Sequence, residues 1–368
     1  MPWYNDLRPT EDNKKQDYAL IFPEMKNYEK ERTIRNLLHL RQYLDFNVEI
    51  KKNDNNLLLA SWNIKEFGHL KKRLPDSYFY IAEIINRFDL IAVQEVKSTL
   101  DDLLIIMRLL GKDWAYLIND ITGGRAGNSE RFAYIYNTKR VEFSGLAGEI
   151  VLWDKFSENL SIRQLKRTPY ITGFRSGWKS FAIINVHLNP DNTPAARELR
   201  RQEVKALAEA IKDKVMEKSF WTENLILTGD FNLYADNEDI IQILDDYGFK
   251  ELQTLSGQPT NVTGTESYDK IYFRENKYFT VPKLTGRGNG GVLKFFDAIY
   301  RMDQFADYKT EMLNHKGDSS NLNSDEAFKT YFERYWRKIQ MSDHYPIWLE
   351  LLIDNSDDFL QDKLKAYI

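Results

Sequence analysis

Residues 225–232 read LILTGDFN, a short apolar run that ends in glycine and then in Asp230 and Asn232. A run of this length and composition suits a strand buried on both faces. The same pattern recurs along the chain. Asn63 follows LLLASW (57–62), Glu95 follows LIAVQ (90–94), and His187 follows FAIINV (181–186). Asp343 and His344 directly precede a last apolar run, Pro346–Leu352. Five strands therefore carry amide, carboxylate or imidazole groups at one of their ends. In layered α/β proteins sites gather at such ends, because loops converge there while the sheet stays rigid.

Further strands are expected at Phe132–Tyr136 and Lys270–Phe273, with Asp89 opening the second run. Helices fall between them. Tyr28–Phe46 places Ile34, Leu37, Leu38 and Leu44 at helical spacing. Ser77–Phe88 is a second helix. A third begins at Thr193-Pro194, a capping residue followed by proline at the first helical position, with Val204, Leu207, Ala208, Ile211 and Val215 on one stripe. The interleaving indicates a layered α/β protein. Residues 1–55 read as an N-terminal helical appendage and 56–354 as the main domain. Within it, 303–340 is a polar insertion with a helix near Glu326–Ile339, and 355–368 form a C-terminal tail.

Composition narrows the classes. Of 368 residues, 42% are hydrophobic and 29% charged, as in ordinary globular proteins. There is no cysteine, which excludes a disulfide framework and a thiolate metal site. No run approaches the ~18 uncharged apolar residues of a membrane helix, so no membrane partner is expected. Met1–Asn13 is polar and has no apolar signal core, and a cytoplasmic location is the expectation. Net charge is −4, so nucleic-acid binding would need a local basic patch. Residues 161–180 supply Arg163, Lys166, Arg167, Arg175 and Lys179 and no acid, and read either as such a patch or as a solvated hairpin.

The residue types at the strand ends fit one task. Asn63, Glu95, Asp230, Asn232 and Asp343 offer only oxygen ligands, which suit hard cations such as Mg²⁺ or Mn²⁺. His187 and His344 can handle protons, since an unperturbed imidazole titrates near ~6.5. Singly, each polar residue after a strand is a common turn former or cap. The set as a whole points to chemistry.

Seven segments in order resemble the endonuclease/exonuclease/phosphatase superfamily, and DNase I most closely within it. They are WNIKEFG (62–68), DLIAVQEVK (89–97), GNSERFAYIY (127–136), INVHL (184–188), GDFN (229–232), SYDKIYF (267–273) and SDHYP (342–346). The resemblance covers roughly residues 57–352. It implies a four-layer α/β/β/α sandwich, two mostly antiparallel or mixed sheets face to face with helices outside. It implies Glu95 as the main metal carboxylate, supported by Asn63, with Asp230, Asn232 and Asp343 completing a phosphate and metal site. It implies His187 oriented by Glu130 and His344 oriented by Asp269 as the two catalytic imidazoles. Lys97, Arg131, Arg167 and Arg175 are the expected substrate contacts. SYDKIYF and GNSER lie nearer the DNase I pattern than those of abasic-site endonucleases or inositol-polyphosphate phosphatases. Lys97 departs from it, standing where the family carries arginine and losing the bidentate fork. GNSER is shorter than the family segment, and no calcium-site acid is evident near Gln258–Gly264.

The function so implied is a Mg²⁺-dependent phosphodiesterase, first a DNA endonuclease of low sequence specificity that leaves 5′-phosphate ends. Two alternatives stand beside it: a small-molecule or lipid phosphoesterase of sphingomyelinase or phosphoinositide type, and a non-catalytic nucleic-acid-binding protein on the same fold. Protein partners are unknown.

Overall fold

The computed structural model describes residues 2–12, 20–51, 55–68, 73–121, 129–152, 160–216, 222–234, 237–282, 289–316, 321–365 and 367. Of the sequence readings, the Gly127-Asn128 start of the GNSER segment lies outside these residues.

Twelve strands among the described residues form two six-stranded sheets. The first sheet holds β1 (Asn56–Phe67), β2 (Leu90–Lys97), β3 (Trp114–Ile118), β4 (Glu130–Asn137), β11 (Gly290–Val292) and β12 (Ile347–Leu352). The second holds β5 (Glu142–Glu149), β6 (Tyr170–Ser176), β7 (Lys179–His187), β8 (Leu225–Asp230), β9 (Lys250–Glu251) and β10 (Asp269–Phe273). Their orders are β11-β12-β1-β2-β4-β3 and β5-β6-β7-β8-β10-β9. Each sheet is mixed: β1 and β2 run parallel, as do β7 and β8, while the other pairs are antiparallel.

Side chains alternate along a strand, so each strand divides its residues between two faces. Leu57 and Leu59 of β1, Phe132 and Tyr134 of β4, Phe181 and Ile183 of β7, Ile226 of β8 and Ile271 of β10 meet in one core between the sheets. The intervening residues face outward. Leu58, Ala60 and Trp62 pack under α1 (Asn27–Asn47), α2 (Pro75–Arg87) and α3 (Asp101–Leu110). Ile184, Val186, Leu225 and Leu227 pack under α4 (Pro194–Met216) and α5 (Glu238–Asp246). The outcome is the expected α/β sandwich with helices on both outer faces. Among the described residues no helix is long and apolar enough to cross a membrane.

The flanking segments are built onto this frame. In α1, Leu37, Leu40 and Leu44 are buried, whereas Ile34 and Leu38 of the expected stripe are exposed. Arg32 ties α1 to α2 through Asp76 at 3.0 Å and to the 303–340 segment through Glu311 at 2.7 Å. That segment packs Phe305, Tyr308, Met312, Phe328, Phe332 and Trp336 onto the first sheet's outer layer. Its expected helix runs from Asp325 to Gln340 and widens into a π-helical turn at Phe332–Trp336.

One glycine holds the site end of β8 in place. Gly229 sits at φ +136, and a Cβ there would lie 2.0 Å from the Val186 carbonyl oxygen of β7. A side chain is excluded both by the backbone conformation and by the adjacent strand. We expect Gly229→Ala to lower stability by about 2 kcal/mol or more in urea unfolding; an unchanged midpoint would contradict this account.

Candidate active site

The apolar inner faces of five strands end in polar residues at the same edge of the sandwich. Counting by twos from the core leads to Asn63 on β1, Glu130 on β4, His187 on β7, Asp230 on β8 and Asp269 on β10. The registers bring these ends together: His187 lies opposite Asp230, Asp269 opposite Asp230, and Lys97 opposite Glu130. One layer deeper, Gln94 Nε2 donates to Asn185 Oδ1 across the two sheets at 2.7 Å and to Ser61 Oγ at 3.1 Å. This buried bridge fixes how the sheets face each other just beneath the site.

Asp230 is the centre. Its Oδ2 accepts from Asn63 Nδ2 at 2.9 Å and lies 3.6 Å from His187 Nε2 and 3.8 Å from His344 Nε2. Its Oδ1 accepts from the Asn232 backbone N–H at 2.9 Å. Asn232 takes a left-handed conformation at φ +48, and its Nδ2 donates to the Leu188 carbonyl at 3.0 Å. Glu95 also sits in left-handed backbone, at φ +62, where the β2 ladder shifts register. Such strain is tolerated where the surrounding structure over-determines the residue. Its carboxylate accepts from Asn63 Nδ2 at 3.2 Å and from the Glu66 N–H at 2.9 Å.

Each imidazole has a carboxylate at Nδ1. His344 Nδ1 lies 2.8 Å from Asp269 Oδ2, and His187 Nδ1 lies 3.3 Å from Glu130 Oε2. Burial by itself would lower the affinity of His344 for a proton. Asp269, Asp230 and Asp343 outweigh it and hold the imidazole well above its usual range. Burial likewise opposes the charge on Glu130, but His187, Arg167 and Lys97 overcome it and hold the carboxyl well below the ordinary carboxylate range. Asp343 is held down in the same way by His344 and by Lys65, whose Nζ is 2.8 Å away.

The expected substrate contacts fare differently. Lys97 Nζ lies 3.2 Å from Glu130 Oε1, and Arg167 Nε donates to Glu130 Oε2 at 2.7 Å, with both cations largely buried. Arg131 falls one residue from Glu130, on the outward face it shares with Val96, Ala133 and Ile135. Arg175 pairs with Ser180, seven residues before His187 on β7, which at ~3.3 Å per residue is roughly 23 Å from the site. Beside it, Lys179 is buried and binds the Tyr278 carbonyl and Asn355. The basic run at 161–180 is therefore split between the two ends of the sandwich.

Sequence reasoning missed two site residues. Ser342 Oγ donates to the Asn63 carbonyl at 2.6 Å and accepts from the N–H groups of Lys65 and His344, joining the end of β1 to the SDH loop. Lys65 stands at the lip, one-third exposed. Both lie inside quoted motifs, and the tendency of serine to bond nearby backbone was a usable signal for Ser342.

Two groupings could hold a cation. Asp230, Asp269 and His344 each bring a ligand atom within 4.8 Å of the others. The 2.8 Å His344–Asp269 contact occupies that pair with each other. The second grouping is Asn63, Glu95 and Asp230, now joined through Asn63 Nδ2, which would present oxygens alone once that amide turned about its last torsion. Asn63 Oδ1 is buried without a hydrogen-bond partner, and no described lysine or arginine lies within ion-pair distance of Glu95 or Asp230. An all-oxygen, negatively charged set of this kind fits a hard divalent ion.

No family model matches the chain. It is 28% identical to mouse deoxyribonuclease gamma over 187 residues, covering 48% of this chain and 55% of that protein. It is 24% identical to rabbit deoxyribonuclease-1 over 229 residues, or 58% of this chain and 76% of that one. The chain thus spans about half the length of the first of these relatives. Among solved structures, an endonuclease/exonuclease/phosphatase family protein from Bacteroides thetaiotaomicron superposes with a TM-score of 0.50 at 18% identity, covering 82% of this chain and 99% of that one. The resemblance to the DNase I-like endonuclease/exonuclease/phosphatase superfamily holds in sequence, and the fold is that superfamily's sandwich.

The electrostatics of Glu130 yield a stability test. A carboxyl whose folded pKa is depressed stabilises the fold above its unfolded value, near ~4.3, and that contribution is lost as pH falls through the folded value. The stability advantage of wild type over Glu130→Gln, read by urea unfolding, should shrink as pH drops from about 6 toward about 3. A pH-independent difference would show that Glu130 is not held ionised.

Proposed function

We propose that the chain hydrolyses phosphodiesters with a bound divalent cation, Mg²⁺ first and Mn²⁺ second. We further propose that its substrate is DNA, cut internally with low sequence specificity to leave 5′-phosphate ends. The observation that carries this reading is the convergence of two imidazoles on one carboxylate. His187 Nε2 and His344 Nε2 both lie within 3.8 Å of Asp230 Oδ2, and each has an acid at its other nitrogen. Two proton-handling groups so close, with different charge environments, suit a reaction that needs one acid and one base.

In this reading Glu95, Asn63 and Asp230 hold the ion, with Asp343 beside them. When bound, the ion supplies positive charge against the phosphate oxygens. One of the two histidines takes the proton of the attacking water at Nε2, and the other gives its Nε2 proton to the departing 3′-oxygen. Asp269, bonded to Nδ1 of His344, and Glu130, 3.3 Å from Nδ1 of His187, orient the imidazoles and stabilise the protonated rings. Asn232 braces Asp230 through its backbone N–H. Lys65, paired with Asp343 at the lip and one-third exposed, is placed to meet a substrate phosphate. The choice of DNA is supported by the relatives, which are named deoxyribonucleases.

A plasmid-nicking assay tests the proposal. Wild type should relax supercoiled plasmid with Mg²⁺ and stop on chelation. His187→Ala and His344→Ala should each lose at least ~10²-fold in rate while unfolding as wild type does. Glu95→Gln should need more Mg²⁺ for half-maximal rate. Near wild-type nicking by both histidine variants would defeat the assignment. Hydrolysis of a lipid or small phosphodiester with no action on plasmid would replace DNA as the substrate.

A further inference from the structure

Glu130 is gripped by more than the histidine it faces. His187 Nδ1 and Arg167 Nε share its Oε2, at 3.3 and 2.7 Å, while Lys97 Nζ holds Oε1 at 3.2 Å. The arginine contact is the shorter of the two on the shared oxygen. Arg167 also donates through Nη1 to the Leu188 carbonyl at 3.4 Å, on the residue next to His187. That carbonyl accepts from Asn232 Nδ2 as well, and the Leu188 N–H donates to the Asp230 carbonyl. The loop carrying Arg167 is itself anchored from α4, because the Lys166 backbone N–H donates to the buried carboxylate of Glu203 at 2.8 Å. Arg167 therefore connects the acid behind one imidazole to the chain segment that carries it.

We infer that Arg167 is a positioning residue, which acts on the reaction through Glu130 and His187 and does not bind the substrate's phosphates. This inference rests on the phosphodiesterase reading above and deepens it. Two observations support it. The guanidinium is buried, its side chain 7% exposed, so no surface is left for a backbone phosphate to approach freely. Its charge is already spent on a carboxylate that is itself 4% exposed, and turning toward a substrate would strip buried Glu130 of the shorter of its two cation contacts. Two restraints, one on each oxygen, fix the carboxylate where its Oε2 lies 3.3 Å from Nδ1 of His187. Outer partners of this kind typically tune activity by about 10–100-fold.

The test is a double-mutant cycle on cleavage of a short DNA duplex at saturating Mg²⁺, with Arg167→Met, Glu130→Gln and their combination, and thermal unfolding run on every variant. Arg167→Met should lower kcat by about 10-fold and leave KM within about twofold of wild type. The dependence of log KM on log salt should keep its slope. In the Glu130→Gln background the same substitution should cost less than about twofold, because the group it acts through is already gone. Arg167→Lys keeps a charge but loses the fork, so it should recover part of kcat in the wild-type background alone. If Arg167→Met fails to fold, Arg167→Lys in the two backgrounds carries the comparison. A raised KM with a salt slope shallower by about 0.9, equal in both backgrounds, would make Arg167 a phosphate contact and overturn the inference. Unchanged kcat would overturn it too. A wild-type protein that cleaves no DNA would bring down the proposed function itself, a result distinct from either.

Discussion

Five carboxylates crowd the rim of the inter-sheet core, and the structure around them is arranged to make that tolerable. Buried like charges destabilise a fold unless each finds a partner. Glu130 is met by Arg167 and Lys97, Asp343 by Lys65, and Asp269 by His344. Glu95 and Asp230 are treated differently. They share the amide of Asn63, accept backbone N–H groups, and in the case of Asp230 face the two imidazoles. The compensation is complete at the periphery and weaker at the centre, a gradient of charge that would favour a cation there.

The same two-residue periodicity builds the core and delivers the site. A strand that buries Phe181 and Ile183 between the sheets must, four residues on from Ile183, aim His187 into the same space. On β8, Ile226 leads by the same count to Thr228 and Asp230. Stripes that end polar at the same edge on five strands cannot avoid meeting there once the sheets pack. The Gln94–Asn185 bridge then prevents the sheets from sliding. It is a side-chain pair buried in apolar surroundings, so shear would leave both amides unsatisfied.

That logic explains what was legible from sequence. The strongly apolar strands, β1, β2, β4, β7, β8, β10 and β12, were readable because they are buried on both faces, and the cluster of polar ends followed from them. The edges were not. β5 alternates half-exposed and exposed residues with glycines at 145 and 148, while β9 and β11 span only two and three residues. Those strands exist because a neighbour offers hydrogen bonds, a property of the tertiary structure. The basic run at 161–180 misled for a related reason. Charge density along a chain does not say which end of a hairpin each residue occupies, and β6 and β7 carry Arg175 and Lys179 away from the edge where Arg167 remains. Within that run the burial of Arg167 was equally invisible, because its partner Glu130 is 37 positions away in sequence.

Asn63 shows why an amide, and not a third carboxylate, stands between Glu95 and Asp230. A carboxylate there would add like charge to two acids already within hydrogen-bond reach of the same point. An amide has a donor end and an acceptor end, and rotation about its last torsion exchanges them. With Nδ2 turned inward it bridges the two acids, as the structure has it, and Oδ1 is left buried without a partner. With Oδ1 turned inward, the three side chains present oxygens alone, the set a hard cation prefers. The bridge that steadies the pair of acids and the ligand that would complete a cation site are thus two orientations of one side chain. The unsatisfied oxygen accompanies the first, and it is the atom that the second would bring to a cation.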